Sequence, residues 1–257
     1  MKWTIGIFLI LVVVIVPITA FWGTVSSTIF PNTIIGLYNK DFWENFLVEA
    51  HGAIFDLAVV GIALLWFEER RKKKDKIGEL TTNLDDLKHY YGEDASYRTF
   101  GQMKRLMALN VTKFEIPEAK LSNLTIQGLN FKSCNFHAVN FTKSRLENTT
   151  IENSQLDASI FVDSTFKHMT LTDVSLRRAK FAHAKLKGVD LRNSVVTGAD
   201  FRNADLSSAN FSGVDCKGVN FKGANLRSAN FKGARNLTKD MLLEAENVKF
   251  VKTDFDL

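Results

Sequence analysis

From Leu121 onward the same kind of side chain returns every five residues. The series runs from Leu121, Ile126 and Phe131 through to Phe221, Leu226 and Phe231. It covers 23 consecutive positions, filled by ten Phe, nine Leu, two Ile, one Val and one Cys, and it stops at Asn236. A sustained internal repeat of this kind decides the architecture before local propensities do. Two residues before many of the centres stands a small side chain, as in Ala179, Ala184, Ala199, Ala204 and Ala209. Positions two apart share one face of an extended strand, so each repeat offers a large and a small side chain to one interior. Two residues after the centre stand Gly128, Gly188, Gly198, Gly213, Gly218, Gly223 and Gly233, with Asn148, Asn153, Asn193 and Asn203 at the same place in other repeats. Gly and Asn tolerate the positive φ of a tight corner. A strand and a corner repeated in one sense make a coil, and stacked coils bury the Phe/Leu column while hydrogen-bonding to one another. The period alone leaves the number of sides open.

Ala199-Asp200-Phe201-Arg202-Asn203, Ala204-Asp205-Leu206-Ser207-Ser208, Ala209-Asn210-Phe211-Ser212-Gly213 and Ala224-Asn225-Leu226-Arg227-Ser228 resemble the pentapeptide-repeat family, whose pattern is Ala-Asp/Asn-Leu/Phe-x-x. The resemblance covers about half of the chain. It implies an all-β solenoid, a right-handed quadrilateral β-helix with four such repeats per coil. Phe141, Phe161, Phe181, Phe201 and Phe221 then share one vertical column, and stacked rings contribute roughly 0.5–1.5 kcal/mol per pair beyond area burial. Between Ser144 and Ser164, Ser or Thr replaces Ala in the small interior slot, so the coils are expected to be least regular there. Cys134 and Cys216 fall in interior slots and read as buried small hydrophobes. They make neither a metal spacing nor a disulfide framework, which fits a reduced compartment.

The first 67 residues differ in kind and hold all four tryptophans. Trp3 to Phe21 contains no charge and is rich in Ile, Leu and Val; as a helix it spans roughly 28 Å, close to the hydrocarbon thickness of a bilayer. A cleaved signal peptide is the other reading, but Ile18 is a poor partner for Ala20 at a cleavage site and the run is long. A second apolar segment, Ala50 to Phe67, is followed at once by Glu68-Glu69-Arg70-Arg71-Lys72-Lys73-Lys74-Asp75-Lys76, whereas the stretch Gly23 to Glu49 has Lys40 as its only basic residue. Positive charge stays on the cytoplasmic side. The expected organisation is therefore a two-pass transmembrane α-helical hairpin in residues 1–67, with helices about 3–22 and 48–67 and both termini cytoplasmic. Trp3 and Trp66 would mark the inner interface, Trp22 and Trp43 the outer one, and Pro17 a modest kink. The expected location is a bacterial inner membrane.

Residues 68–118 read as a basic helical connector and N-terminal cap, 119–236 as the β-helix, and 237–257 as a capping helix and tail. In the connector, Ile77, Leu80, Leu84, Leu87 and Tyr91 follow 3-4-3-4 spacing. That stripe either packs on the chain itself or joins two copies into a homo-oligomer. A second helix is expected over Ser96 to Asn110, with Phe100, Met103, Leu106 and Met107 on one face. Near the C-terminus Thr238 is placed as an N-cap with Asp240 in the first turn, and Val248 to Phe255 as a further strand.

No nucleophile–base pair, metal spacing or phosphate loop stands out, and His137, His168 and His183 fall on outward positions in irregular columns. No catalytic, cofactor-binding or metal residues are expected, and a rigid repeat surface most often binds a partner. Two places deserve a functional reading. Asp56 lies inside the second apolar segment, where an ionisable residue is functional by default unless it reaches water or a partner such as Thr19. On the wall of the long Phe column, Ile160, Val162 and Ala182 point outward among polar residues, with Lys180 and Arg202 at the edge. An apolar patch with a polar rim marks an interface for a protein partner or a second copy.

The leading class is thus a non-enzymatic, membrane-anchored scaffold. The second is a transport or sensing subunit in which the hairpin with Asp56 acts and the rod regulates. The resemblance adds a third, because some members of the family protect DNA topoisomerases by imitating DNA. The sign argues against it: Ala119 to Arg235 holds 17 Lys and Arg against 9 Asp and Glu, a net of +8, in a chain of net charge +5. Nucleic acid is not an expected partner either, since the positive balance is mild.

Overall fold

The computed structural model describes residues 2–29, 40–90 and 92–256. The side chains of Trp3 and Lys40, and Tyr91 of the connector stripe, lie outside the described residues. The chain divides into two units, Met1–Asp75 and Lys76–Leu257.

The first unit is helical. Helix α1 (Lys2–Ala20) is followed after Phe21 by α2 (Trp22–Ile29), and the axes of this pair bend by 82°. The helix expected over about 3–22 corresponds to α1, and the sharp bend follows at its end. Beyond it the chain turns to Gly23, Thr24, Ser26, Ser27 and Thr28. Hydroxyls of Ser27 and Thr28 donate to the Thr24 carbonyl at 3.0 and 2.7 Å, the local bonding that competes with a straight helix. Helix α3 (Lys40–Asp86) is 47 residues long and continues well past both ends of the expected 48–67 segment. Nothing in it breaks a helix: it has no Pro, and Gly52, Gly61 and Gly78 stand singly. Trp43 therefore lies in the first turns of α3, edge-on to Phe42 and Phe46 at 5.4 and 5.8 Å, and Trp22 Nε1 donates to Glu44 at 2.9 Å. Among the described residues one helix is long and apolar enough to cross a membrane, or two if the bent pair counts as one span.

In the second unit the end of α3 leads through a 3-10 turn (Leu87–His89) to α4 (Ala95–Ala108). Leu80 and Leu84 of the connector stripe are buried with Phe100, Met103 and Leu106 of α4, in one core with Phe114 and Ile116. Ile77, Leu80 and Leu84 of the stripe are thus used within the chain. Ser122 N–H of the first coil donates to Ser96 Oγ of α4 at 3.0 Å, tying cap to coil.

The coils then repeat every 20 residues. Strands β1 (Thr125–Gln127), β3 (Arg145–Glu147) and β5 (Thr165–Lys167) form one parallel sheet, and β2 (Asn130–Lys132), β4 (Thr150–Glu152) and β6 (Thr170–Thr172) another. In both, each residue pairs with the one 20 positions on, as Ile126 with Leu146 and Phe131 with Ile151. Elsewhere single parallel bridges hold the same register, for example Lys180 to Asp200 and Asp200 to Asn220. Every one of the 23 central side chains is buried. The stack begins earlier than Leu121, because Glu115 already bridges Asn135.

The residue before the centre takes part in the turn of many repeats. Where it is Asn or Asp, its side-chain oxygen usually accepts the N–H two residues on: Asn140 from Thr142 at 2.9 Å, Asp205 from Ser207 at 3.1 Å, Asn220 from Lys222 at 3.0 Å. That is an Asx turn, and it closes the corner early. Thr125, Arg145, Thr150, Thr165 and Thr170 make no such bond and their repeats run on as three-residue strands, as does that of Asn130, whereas the repeats led by Ile160, Lys180 and Val195 turn without it. The corner residue itself is left-handed throughout, whether Gly223 (φ 68°) or Lys143 (φ 57°).

The middle coils are regular where irregularity was expected. Their hydroxyls fill the small slot and bond to backbone: Ser144 Oγ donates to the Leu121 carbonyl at 2.7 Å, and Ser159 Oγ to that of Phe136 at 2.6 Å. At the far end Thr238 Oγ1 accepts from Met241 N–H at 3.3 Å and caps α5 (Lys239–Leu243), whose Leu242 is buried. The tail adds a last partial coil rather than a full strand. Asn225 and Asn230 bridge Asn247 and Lys252, so this coil is two residues longer than the others to make room for α5.

Candidate functional site

The wall of the long Phe column follows from the 20-residue coil. Parallel bridges set Asn140, Ile160, Lys180, Asp200 and Asn220 one above another. A second line, two residues on, is joined by Lys143 N–H to the Val162 carbonyl at 2.9 Å, Asp163 N–H to Ala182 at 3.1 Å and His183 N–H to Arg202 at 2.9 Å. Ile160 and Val162 therefore stand in one coil, and Lys180 and Ala182 directly next to them in the following one. Ile160, Val162 and Ala182 are half-buried, so the apolar area is shallow, while Lys180 and Arg202 are exposed.

The two cations differ in what they can offer. Arg202 is held by Asp200: its Nε and Nη2 donate to the carboxylate at 2.9 and 2.8 Å, and its backbone N–H adds a bond at 3.2 Å. Burial pushes the Asp200 carboxyl up, but the Arg202 bonds outweigh it and hold the group below its ordinary value. Arg202 is thus a partly neutralised rim. Lys180 makes no ion pair among the described residues; it stands between Ile160 and Asp200 in the ladder, and its charge helps to hold the Asp200 carboxyl down.

Asp56 lies exposed on α3 and has no hydrogen-bond partner among the described residues. The Thr19 hydroxyl does not reach it. It donates to the Ile15 carbonyl at 2.8 Å and lies 3.4 Å from His51 Nδ1, which is also 3.1 Å from the Leu47 carbonyl. The α3 side chain that Thr19 approaches is therefore His51, at the edge of the apolar segment. Thr19 and Asp56 cannot be matched by depth alone, since which face of α3 meets α1 decides the contact.

Cys134 and Cys216 are buried, and burial pushes the Cys216 thiol up to about 12. Among the described residues no group of three or more His, Cys, Asp or Glu is placed to hold a metal ion.

Several solved structures are similar to the chain. One is HetL, a pentapeptide-repeat protein involved in heterocyst differentiation regulation from the cyanobacterium Nostoc sp. strain PCC 7120, at 20% identity and a TM-score of 0.29, covering 59% of this chain and 93% of that one. Another is full-length QnrB1, a plasmid-mediated fluoroquinolone resistance protein, at 15% identity and a TM-score of 0.27, covering 55% and 84%. A third is a pentapeptide-repeat protein of the Arabidopsis thaliana thylakoid lumen, at 22% identity and a TM-score of 0.22, covering 48% and 74%. No curated protein matches the chain. Two family models match it, the pentapeptide repeat region over residues 124–201 and pentapeptide repeats in 8 copies over residues 199–235. With the five-residue period and the 20-residue register, these matches make residues 124–235 a pentapeptide-repeat β-helix.

Proposed function

We propose that this protein is a membrane-anchored, non-enzymatic scaffold that holds a rigid β-helix on the cytoplasmic side of a membrane for a protein partner to dock on. The observation that carries the anchoring is the apolar surface of the first unit. Ile10, Val13 and Val14 of α1 and Phe55, Val59, Ile62 and Leu64 of α3 are all exposed. Apolar surface of this extent needs a cover, and two helical stretches of this length suit a bilayer. The charge run after Phe67 supports cytoplasmic termini. The rod supports the scaffold role: its interior is filled from end to end, which leaves its walls as the surface on offer.

A second reading, a transport or sensing hairpin with a regulatory rod, is favoured by Asp56 alone. Its carboxylate shares an exposed helix face with Val59 and Val60, where an unpaired charge is costly unless it has work to do.

The test is purification of the full chain from native membranes in mild detergent, beside a control containing the hairpin alone. The expected result is that alkaline carbonate fails to release the protein, and that the full chain retains a protein partner which the control lacks. Exchanging the hairpin for an unrelated two-pass anchor separates the two readings. A scaffold keeps its partner and its activity in the cell; a transport or sensing subunit loses the activity. Release by carbonate would overturn the anchoring.

A further inference from the structure

Just past the apolar stretch of α3, the segment from Glu68 to Lys76 carries six cations and three anions. The helix sorts them. Lys72 binds Glu68 at 2.8 Å, Arg71 reaches Asp75 at 4.0 Å and Lys76 binds Glu79 at 2.9 Å, so one side of the helix neutralises itself. Arg70, Lys73 and Lys74 are exposed and make no ion pair among the described residues; Glu69, one turn before Lys73, makes none to it. At about 100° per residue these three cations and Trp66 fall within an arc of roughly 100°, and the ion pairs lie on the opposite side. The Arg70 guanidinium sits over the Trp66 ring, 4.1 Å from its centroid, and the indole is 50% exposed.

We propose that Arg70, Lys73 and Lys74 form a docking stripe for the phosphate groups of anionic phospholipids, an inference that rests on the membrane-anchored reading above. An indole at the end of an apolar stretch belongs at the headgroup level. A guanidinium folded over its face keeps its donors free at the edge of the ring. Two long ammonium side chains within the next turn reach the same depth and lay their apolar stems along the helix. The occupant is a lipid rather than a soluble polyanion because the stripe directly continues the exposed apolar surface of Leu64, Leu65, Trp66 and Phe67 on one unbroken helix. Each unpaired cation near an anionic leaflet raises its local partition about fivefold. Lys72 and Lys76 add much less, since each brings its own carboxylate. The stripe therefore sets the depth of α3 and favours membranes, or regions of membrane, rich in acidic lipid.

The experiment uses full-length protein reconstituted in phosphatidylcholine bilayers with a minority of phosphatidylglycerol, one headgroup class at a time carrying brominated acyl chains. Quenching of tryptophan fluorescence then reports which lipid sits against the protein. Stronger quenching by the brominated phosphatidylglycerol is expected, weakened at about 0.5 M salt, where screening is nearly complete beyond a few ångström. The triple variant R70Q/K73Q/K74Q should lose about fivefold in preference per charge. The triple variant R71Q/K72Q/K76Q changes net charge equally and should keep most of it. Equal losses in the two variants would show that net charge acts without a stripe, and would overturn the inference. So would absence of any preference in the unaltered protein. If the protein inserts and shows no preference, only this inference falls; if it fails to insert at all, the anchored reading falls with it.

Discussion

The rings of Phe161 and Phe181 lie parallel, 4.9 Å apart and 4° from coplanar orientation, one coil above the other. Phe181 meets Phe201 in the same way, at 4.9 Å and 11°. Their spacing matches the distance between adjacent strands, so the ring column and the backbone ladder share one repeat distance. Such a column cannot relax around a missing ring without parting the backbone ladder.

Phe181→Ala should therefore cost about 3–5 kcal/mol, the usual range for removing a buried aromatic. Lys187→Ala, on an exposed position of the neighbouring wall, should change stability by less than about 0.5 kcal/mol. Chemical denaturation of the β-helix measures both. Equal effects would mean that the inward and outward positions have been assigned the wrong way round.

Two buried serines in the small interior slot should behave in opposite ways. Ser154 Oγ accepts from Cys134 N–H at 3.0 Å and donates to the Glu152 carbonyl at 2.7 Å. Ser194 Oγ is buried without a partner. Ser154→Ala orphans a buried N–H and should cost about 1–3 kcal/mol. Ser194→Ala removes an unpaid desolvation and restores the residue the repeat prefers, so it should be neutral or stabilise by up to about 1 kcal/mol. The two melting curves decide it, and a loss on Ser194→Ala would mean that an ordered water satisfies the hydroxyl.

Glu147 links the pH of the solution to the ladder. It accepts from Arg145 Nε at 2.9 Å in its own strand and from Lys167 Nζ at 2.8 Å in the next coil. These bonds hold its carboxyl at about 2, well below the ordinary 4.5. The folded state thus keeps the group ionised at pH values where the unfolded chain takes up a proton. Its contribution is present above the unfolded value and fades as pH falls toward the folded one. The melting temperature should accordingly drop between about pH 5 and pH 2, and Glu147→Gln should flatten part of that drop. Parallel profiles for the two proteins would remove Glu147 from the account.

Membrane orientation can be read with a reporter that works only in the cytoplasm. Fused after Leu257 it should be active, and inserted beside Asn32 it should be silent; both positions lie outside the described residues. The basis is Arg70 to Lys76 on one side of the second apolar segment against Lys40 alone before it. A silent fusion with an active insertion would invert the topology.

The β-helix was legible because its signal is strict order along the chain: a buried centre every five residues leaves little choice of interior. What lay outside that periodicity was harder to read. The change from apolar to charged at Phe67 and Glu68 looks like a boundary, yet side-chain polarity does not interrupt backbone hydrogen bonds, and α3 runs through it. The Asp or Asn before many of the centres is plain in the pattern, but that Asn140 closes a turn onto Thr142 depends on its rotamer. The same holds at the candidate wall. The alignment of Ile160 with Lys180 follows from the coil length, whereas the capture of Arg202 by Asp200 does not.

That capture sharpens the prediction for partner docking. Ile160, Val162 and Ala182 make a shallow apolar area, and of its two flanking cations Lys180 makes no ion pair among the described residues, whereas Arg202 is bound to Asp200. A partner that seats there should bring an apolar contact and an acidic group for Lys180. Ile160→Asp with Val162→Lys puts charge into the middle of that contact while leaving every interior position untouched. The pair should abolish co-purification of a partner from native membranes and change the melting of the rod by less than about 1 kcal/mol, as outward substitutions do. Lys180→Glu should weaken the same association, and Arg202→Ala should affect it less, because Arg202 spends its donors on Asp200. If the double variant recovers the same partners at the same yield, docking happens on another wall of the coil. The adjacent wall, where Arg177 and Lys217 stand, would then be the next to change.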